Sequence, residues 1–156
     1  MIFLVKNEFY KQNGGKLSRT PPKHLGTLAK ICWRKIVPFL ESTERVQRID
    51  TSLVELYCSQ YEIYRQSYDD IKENGIQYPI YKSLQDSSGQ IVGKNFMGYR
   101  KNPAVGMMKD ASVQITSIGS QLGLSPKARA ELMEIVNKKD DTNITEQIAK
   151  FFGKEV

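Results

Sequence analysis

Apolar positions recur with the 3.6-residue period of an α-helix over several stretches of this chain, which predicts a mainly helical fold. The first helix should begin at Thr20-Pro21-Pro22, because threonine caps helices and proline favours their first turn. It should end at Val37-Pro38, since a residue before proline is pushed out of the helical region. Its apolar stripe consists of Leu25, Leu28, Ala29, Cys32 and Ile36, with Trp33 at the edge.

The opposite side of this first helix is predicted to be basic. Lys23, Thr27, Lys30 and Arg34 fall within an arc of roughly 60° on an ideal helix. The helix is therefore expected to bury one face and to display cations on the other.

A second, longer helix is predicted from Asp50 to Asn74, with Asp50 or Thr51 as its cap and Gly75 as its stop. Its stripe is rich in tyrosine, and the helix is negatively charged. That combination favours a half-buried seam or a subunit interface over base stacking, because tyrosine buries its ring while its hydroxyl still reaches water. The stripe consists of Leu53, Leu56, Tyr57, Gln60, Tyr64, Tyr68 and Ile71, with Tyr61 beside it.

The cap-then-proline signal returns twice in the second half of the chain. Asn102-Pro103 should start a helix that runs to Gly123, with many small residues on one face that let another helix approach closely. Ser125-Pro126 should start another from about Lys127 to Asn137.

The segment between the second and third helices has β character. Tyr78–Leu84 and Gln90–Tyr99 flank the turn cluster Asp86-Ser87-Ser88-Gly89, which predicts a β-hairpin. A two-stranded hairpin is marginal alone, so it should pack on helices or pair with a neighbouring subunit. The expected fold is mainly α, a helical domain with long helices for oligomerisation and a small mid-chain β-hairpin.

These patterns divide the chain into three parts. Residues 1–19 read as a flexible basic arm, because they hold Asn13-Gly14-Gly15 and show no periodicity. Residues 20–137 form a single helical domain, and residues 138–156 a charged C-terminal tail. A length of 156 residues suits one domain that folds without disulfides or metals.

The net charge of +6 is unevenly distributed. Residues 1–40 carry eight Lys and Arg against one acid, residues 41–75 four against eight, and residues 76–102 four against one. Basic charge is thus concentrated at one end and in the hairpin, while the second helix is acidic. Such a distribution of charge suits a protein that binds a polyanion, and nucleic acid is the commonest polyanion.

No constellation for catalysis, metal or cofactor emerges from the residue types. Two cysteines and the single His24 cannot make a zinc site, and Gly14-Gly15-Lys16 lacks the other residues of a phosphate loop. Asp69, Asp70 and Glu73 read as a solvated cluster near a helix end rather than a nuclease centre. The apolar run Met1–Val5 is too short for a signal peptide or a membrane span, and the cysteine usage suggests a reducing compartment.

Four clusters in order resemble the small terminase subunits of tailed phages, in particular those of siphophages with cohesive genome ends. The likeness covers about residues 20 to 132. The clusters are Pro21-Pro22-Lys23-His24-Leu25 with Ala29, Trp33 and Val37-Pro38; Leu56-Tyr57-Cys58 with Tyr61, Tyr64 and Arg65; Asn102-Pro103-Ala104-Val105; and Leu122-Gly123-Leu124-Ser125-Pro126-Lys127-Ala128-Arg129.

The resemblance implies a non-enzymatic, ring-forming subunit that binds the packaging-initiation site on double-stranded phage DNA in the host cytoplasm. It also implies that the ring recruits and regulates the large terminase, whose ATPase and nuclease do the work. The apolar start, Met1–Tyr10, departs from the short basic leaders typical of the family.

Charge and periodicity then suggest which residues serve each role. Phosphate contacts are expected first from Arg19, Lys23, Lys30, Arg34 and Lys35 and second from Lys94, Arg100 and Lys101. The oligomer interface is expected at Leu56, Tyr57, Tyr64, Tyr68, Met108, Ile115, Gly119 and Leu122.

Two other classes of protein fit the same features. A helix-turn-helix regulator would be a dimer on a palindromic operator, and a phage head connector or adaptor would be a ring indifferent to DNA. Native mass and salt-dependent DNA binding separate the three.

Overall fold

Two packed helices organise the first part of the molecule. The computed structural model describes residues 14–131 and 133–134, and it places helix α1 at Thr27–Ser42 and helix α2 at Thr51–Asn74. A 3₁₀ turn, Arg48–Asp50, leads into α2. The two helices pack together, and the side chains at their centre are almost completely removed from solvent. These are Ala29, Cys32, Trp33, Val37 and Leu40 from α1, with Val54 and Cys58 from α2.

Helix α1 lies further along the chain than its predicted bounds. It begins at Thr27 rather than Thr20, since residues 22 to 25 form a turn in which the Leu25 N–H donates to the Pro22 carbonyl at 3.3 Å. It also continues through Pro38 to Ser42, so the predicted end is wrong. Leu40 is fully buried beyond the proline, and this packing offsets the backbone hydrogen bond that proline cannot donate.

The predicted bounds of the second helix are confirmed. Helix α2 ends at Asn74, and Gly75 follows with a φ of +82°, a conformation that side chains with a Cβ rarely adopt. The Gly75 N–H donates to the Ile71 carbonyl at 2.8 Å, which closes the last turn. The helix end predicted at Gly75 is therefore confirmed.

The mid-chain hairpin is confirmed. Strand β1, Gln77–Gln85, pairs antiparallel with strand β2, Ile91–Lys101, and these two strands are the whole sheet in the part of the chain that the structure describes. Tyr81 pairs with Phe96 and Ile80 with Gly98, which leaves an extra residue in β2 and bends the ribbon. Gly98 has a φ of +113° at this bulge.

The described residues fall into two compact units, one up to Ile115 and one from Thr116. Helix α3, Pro103–Gln121, crosses this boundary. In the first unit Asn102 caps α3, because its Oδ1 accepts the Ala104 N–H at 2.8 Å. In the second unit Leu122 is buried, and the chain turns at Gly123, whose φ is +75°.

The second unit then restarts a helix where the sequence predicts one. The Ser125 hydroxyl accepts the Ala128 N–H at 3.1 Å, and residues 126–131 and 133–134 are helical. The rest of the helix predicted to Asn137 and the predicted tail, residues 138–156, lie outside the described residues. The fold class, mainly α with a small hairpin, is confirmed.

Candidate nucleic-acid interface

Helix α1 presents two exposed cations, Arg34 and Lys35, whereas Trp33 and Val37 are completely buried. Lys30 is half-buried at the edge of the buried face, because it is seven residues before Val37 and so lies only about 20° from it round the helix. At 100° per residue, Lys30 and Arg34 lie about 40° apart and Lys35 about 100° further round the helix. Packing thus fixes the rotation of α1 so that Arg34 and Lys35 are exposed.

The start of α1 is held by the second helix. The N-cap residue, Gly26, has no side chain to cap the first turn, but the Glu62 Oε1 accepts the Leu28 N–H at 3.1 Å. A Cβ on Gly26 would displace the Glu62 carboxylate from this position. Sequence reasoning missed this contact, because it joins residues that are 34 positions apart.

Lys23 and His24 lie in the turn before α1, so the prediction that Lys23 shares a helical arc with Lys30 and Arg34 is wrong. Lys23 remains exposed. The His24 Nε2 lies 3.3 Å from the Glu55 Oε2 of helix α2. This contact joins the turn to α2, as the Glu62 hydrogen bond joins the start of α1 to α2.

Arg19 does not join the other cations of the predicted set. Its Nε donates to the Glu41 Oε2 at 3.3 Å, near the C-terminal end of α1. The Arg19 side chain is 81% exposed, so the ion pair contributes little to stability, but it offsets part of the positive charge at this position.

The last residues of the predicted arm pack on α1. Leu17 is buried, and the Trp33 Nε1–H donates to the Ser18 carbonyl at 3.0 Å. The Arg48 N–H donates to the Gly15 carbonyl at 2.9 Å. Residues 14–19 are therefore held against the helices, while residues 1–13 of that arm lie outside the described residues.

The two cysteines lie together in the core between α1 and α2. The hydrogen bond between the thiols lowers the pKa of Cys32 and raises that of Cys58. Burial raises both values, and the positive charge of Lys35 helps to lower that of Cys32. The only imidazole of the sequence, His24, contacts Glu55.

The cations of the hairpin divide between its two faces. Since successive strand residues point to opposite sides, the register places Lys94 and Lys101 on one face and Arg100 on the other. The lysine face also carries three aromatic rings, with centroid separations of 5.8 Å for Tyr81–Phe96 and 5.2 Å for Phe96–Tyr99. The three cations therefore cannot form one patch on a flat ribbon.

The predicted interface residues differ in their exposure. Leu56 and Tyr68 on α2 are 53% and 50% exposed, whereas Gly119 and Leu122 are buried in the second unit. Tyr57, Tyr64, Met108 and Ile115 are half-buried. Ile63, seven residues after Leu56, is 39% exposed, and sequence reasoning missed it although its helical spacing places it beside Leu56.

The described residues offer no metal centre and no membrane span. No three His, Cys, Asp or Glu side chains in that part of the chain come together to hold a metal ion. None of the described helices is both long and apolar enough to cross a membrane.

Fold and site define a mainly helical protein with a cationic helix and an exposed basic hairpin. The family described as phage terminase, small subunit, matches residues 29–139, which is most of the chain. The protein belongs to this family and thus has a role in phage DNA packaging. The family implies contacts with DNA and with the large terminase, and its small subunit is generally the non-catalytic one. No curated protein and no solved structure matches the chain.

Proposed function

We propose that this small subunit binds the packaging-initiation site on phage DNA, assembles as a homo-oligomeric ring, and recruits and regulates the large terminase. The observation that carries the proposal is helix α1, which buries Trp33 and Val37 and exposes Arg34 and Lys35, with Lys30 half-buried. Cations on a rigidly packed helix can contact the phosphates of a DNA backbone.

DNA binding in this proposal begins with α1 and the turn before it. Lys23, Lys30, Arg34 and Lys35 supply the principal phosphate contacts, while Arg19 contributes less because it shares its charge with Glu41. Such contacts give affinity and register without reading bases. A few contacts per copy are weak, and a ring multiplies them along one duplex.

Assembly is supported by apolar side chains that a single copy leaves in water. Leu56 and Ile63 are exposed side by side on one face of α2, and Tyr68 is exposed about 140° further round the helix. A head-to-tail contact joins different surfaces of successive copies. It closes into a ring if a whole number of copies completes one full turn.

The large terminase supplies the catalysis in this proposal. The thiols are buried, and α1 exposes Arg34 and Lys35, which can contact phosphates. The small subunit therefore acts by holding DNA and by contacting the large subunit.

Native mass and salt-dependent DNA binding test this function together. A ring that holds DNA gives a mass of many copies and an affinity that falls steeply with salt, because phosphate binding releases counterions. A mass of two copies would support a helix-turn-helix regulator instead. A ring that does not bind duplex DNA at low salt would support a head connector or adaptor.

A further inference from the structure

Within the part of the chain that the structure describes, the β-hairpin is almost entirely exposed to solvent. Every residue of its two strands is exposed except Tyr78, Gly93 and Gly98. Its ends are fixed, because the Asn102 N–H donates to the Ile76 carbonyl and the Tyr78 hydroxyl donates to Asp70. A two-stranded ribbon with both faces in water is marginally stable, so a partner that covers it has a large effect.

The exposed side chains of the hairpin are those of a protein contact. Phosphate binding requires cations, and it does not account for several large apolar residues that are 41% to 66% exposed on the ribbon. Aromatic residues and methionine are also enriched at protein interfaces. The apolar residues are Ile80, Tyr81, Leu84, Ile91, Val92, Phe96, Met97 and Tyr99.

Charge points to one occupant. The hairpin carries four cations against Asp86 alone, a formal charge of +3, and helix α2 carries five carboxylates against two cations, a formal charge of −3. Four of these carboxylates fall within an arc of about 40° at 100° per residue. Glu55 and Glu62 contact the start of α1, and the other two are exposed. The four are Glu55, Glu62, Asp69 and Glu73.

Like charges disfavour contacts between two hairpins and contacts between two α2 helices. Two hairpins brought together would place +3 against +3, and two α2 helices would place −3 against −3. A hairpin against the α2 helix of the next copy pairs opposite charges and covers apolar residues on both sides. The lengths also agree, since the 24-residue helix is about 36 Å long and the 11-residue strand β2 is also about 36 Å long.

We infer that the β-hairpin of one copy docks on helix α2 of a neighbouring copy around Asp69 and Glu73, as the head-to-tail contact of the ring. This inference rests on the proposed ring assembly and specifies which two surfaces form it. Lys94 and Lys101 flank the aromatic side chains of the docking face. They are about 20 Å apart along the ribbon, whereas Asp69 and Glu73 are about 6 Å apart along α2, so this carboxylate pair receives one of the two lysines.

Two charge-reversal variants test the contact. The hairpin variant carries Lys94→Glu and Lys101→Glu, and the helix variant carries Asp69→Lys and Glu73→Lys. All four side chains are exposed, so both variants should fold. The two new lysines in the helix variant lie near the C-terminal end of α2, where the helix dipole stabilises positive charge. Each alone should raise the protein concentration needed for half assembly by about tenfold or more, measured by sedimentation velocity.

Mixing the two variants gives the decisive result. Each defective copy then finds an oppositely charged partner surface, so the equimolar mixture should assemble, as should a chain that carries all four changes. A control with the same loss of charge on α1, Lys30→Glu with Arg34→Glu, should keep the wild-type mass. Circular dichroism of each variant shows whether it is folded.

The outcomes separate this inference from the proposed function. If the wild type assembles and both variants assemble equally well, the hairpin contact is wrong and the ring stands. Loss of assembly that is not recovered in the chain carrying all four changes would also overturn the contact, because that chain restores every contact whether the number of copies is even or odd. A wild type that stays monomeric with and without DNA would overturn the ring and the contact together.

Cross-linking of the unmodified protein gives a second measurement. A carbodiimide joins amines to carboxylates that touch, and a mixture of ¹⁴N- and ¹⁵N-labelled chains distinguishes links between copies. Mixed-isotope peptides should join β2 to α2 through Lys94 or Lys101. Links between copies that join only other segments would contradict the inferred contact.

Discussion

Asn102 and Asp70, which are 32 residues apart, are joined by a 2.7 Å hydrogen bond from the Asn102 Nδ2 to the Asp70 Oδ1. The same amide group donates to the Gly75 carbonyl at 2.9 Å, and its Oδ1 caps helix α3. Asn102 is only 1% exposed, and these partners satisfy the hydrogen-bonding groups of its side chain. One buried amide therefore ties the end of α2, the base of the hairpin and the start of α3 together.

Replacement of Asn102 by alanine should lower the free energy of unfolding by about 2–3 kcal/mol, because buried partners lose several hydrogen bonds at once. Urea unfolding followed by circular dichroism measures the change. Asn102→Asp should cost more near pH 7, since its carboxylate would face Asp70 and could not donate. A stability of Asn102→Ala equal to that of the wild type would contradict the role of this amide.

Asp70→Asn is the matched control, because it keeps an acceptor for Asn102. It should be milder than Asp70→Ala in the same unfolding experiment. If both Asp70 variants unfold at the wild-type urea concentration, the 2.7 Å contact contributes nothing to stability.

Glu62 caps helix α1 from a different helix, and this contact gives a second prediction. Glu62→Ala should destabilise the protein by about 1 kcal/mol, which is typical for the loss of a cap. Gly26→Ala should cost a similar amount, because its methyl group would displace the Glu62 carboxylate from the Leu28 N–H. Thermal unfolding of each variant measures these changes.

A double-mutant cycle tests whether the two residues act through one contact. Gly26→Ala should have a smaller effect in the Glu62→Ala background, since the displaced group is already absent. Glu62→Gln is the control, because its amide oxygen can still accept the hydrogen bond. Additive effects of the two alanine variants would show that Gly26 acts independently of Glu62.

Local signals made much of this fold predictable from the sequence. Asn102 and Ser125 cap helices through hydrogen bonds to residues two and three positions ahead, so their neighbours are enough to identify them. Gly75 ends α2 through its own positive φ. The hairpin turn likewise depends on residues within a few positions of Asp86.

Contacts between distant residues account for what the sequence did not predict. Leu40 is buried in the helix pair and carries α1 past Pro38, against the local preference of the chain. In the candidate site the exposure of Arg34 follows from helical spacing, whereas Lys23 lies outside the helix and Lys30 is half-buried. The pairing of Arg19 with Glu41, 22 residues away, could not be predicted from spacing, because it depends on how residues 14–19 pack.

Asp86 gives a prediction about pH. Hydrogen bonds from the Ser88 hydroxyl and the Gln90 N–H lower the pKa of this carboxyl. A carboxyl with a lowered folded pKa stabilises the fold above its unfolded pKa and loses that contribution as pH falls through the folded value. The hairpin turn should therefore loosen as pH is lowered below about 3.9.

Amide chemical shifts of Ser88 and Gln90 in NMR spectra measure this titration. Both should move together as Asp86 takes up a proton, and the shifts should fit one pKa below the usual range for aspartate. Asp86→Ala is the control, since it removes the titrating group. The same titration in that variant would assign it to another carboxyl.

The proposed DNA contact on α1 gives the last prediction. Lys30→Glu with Arg34→Glu should weaken duplex binding and make the slope of log affinity against log salt shallower by about 1.8 for each engaged copy, because two phosphate contacts are lost. Fluorescence anisotropy at several salt concentrations measures the slope, and the native mass should stay unchanged. Lys109→Glu with Lys127→Glu is the control, since it makes the same change in charge outside the proposed contact. Unchanged affinity in the α1 variant, or an equal loss in the control, would remove this helix from the DNA site.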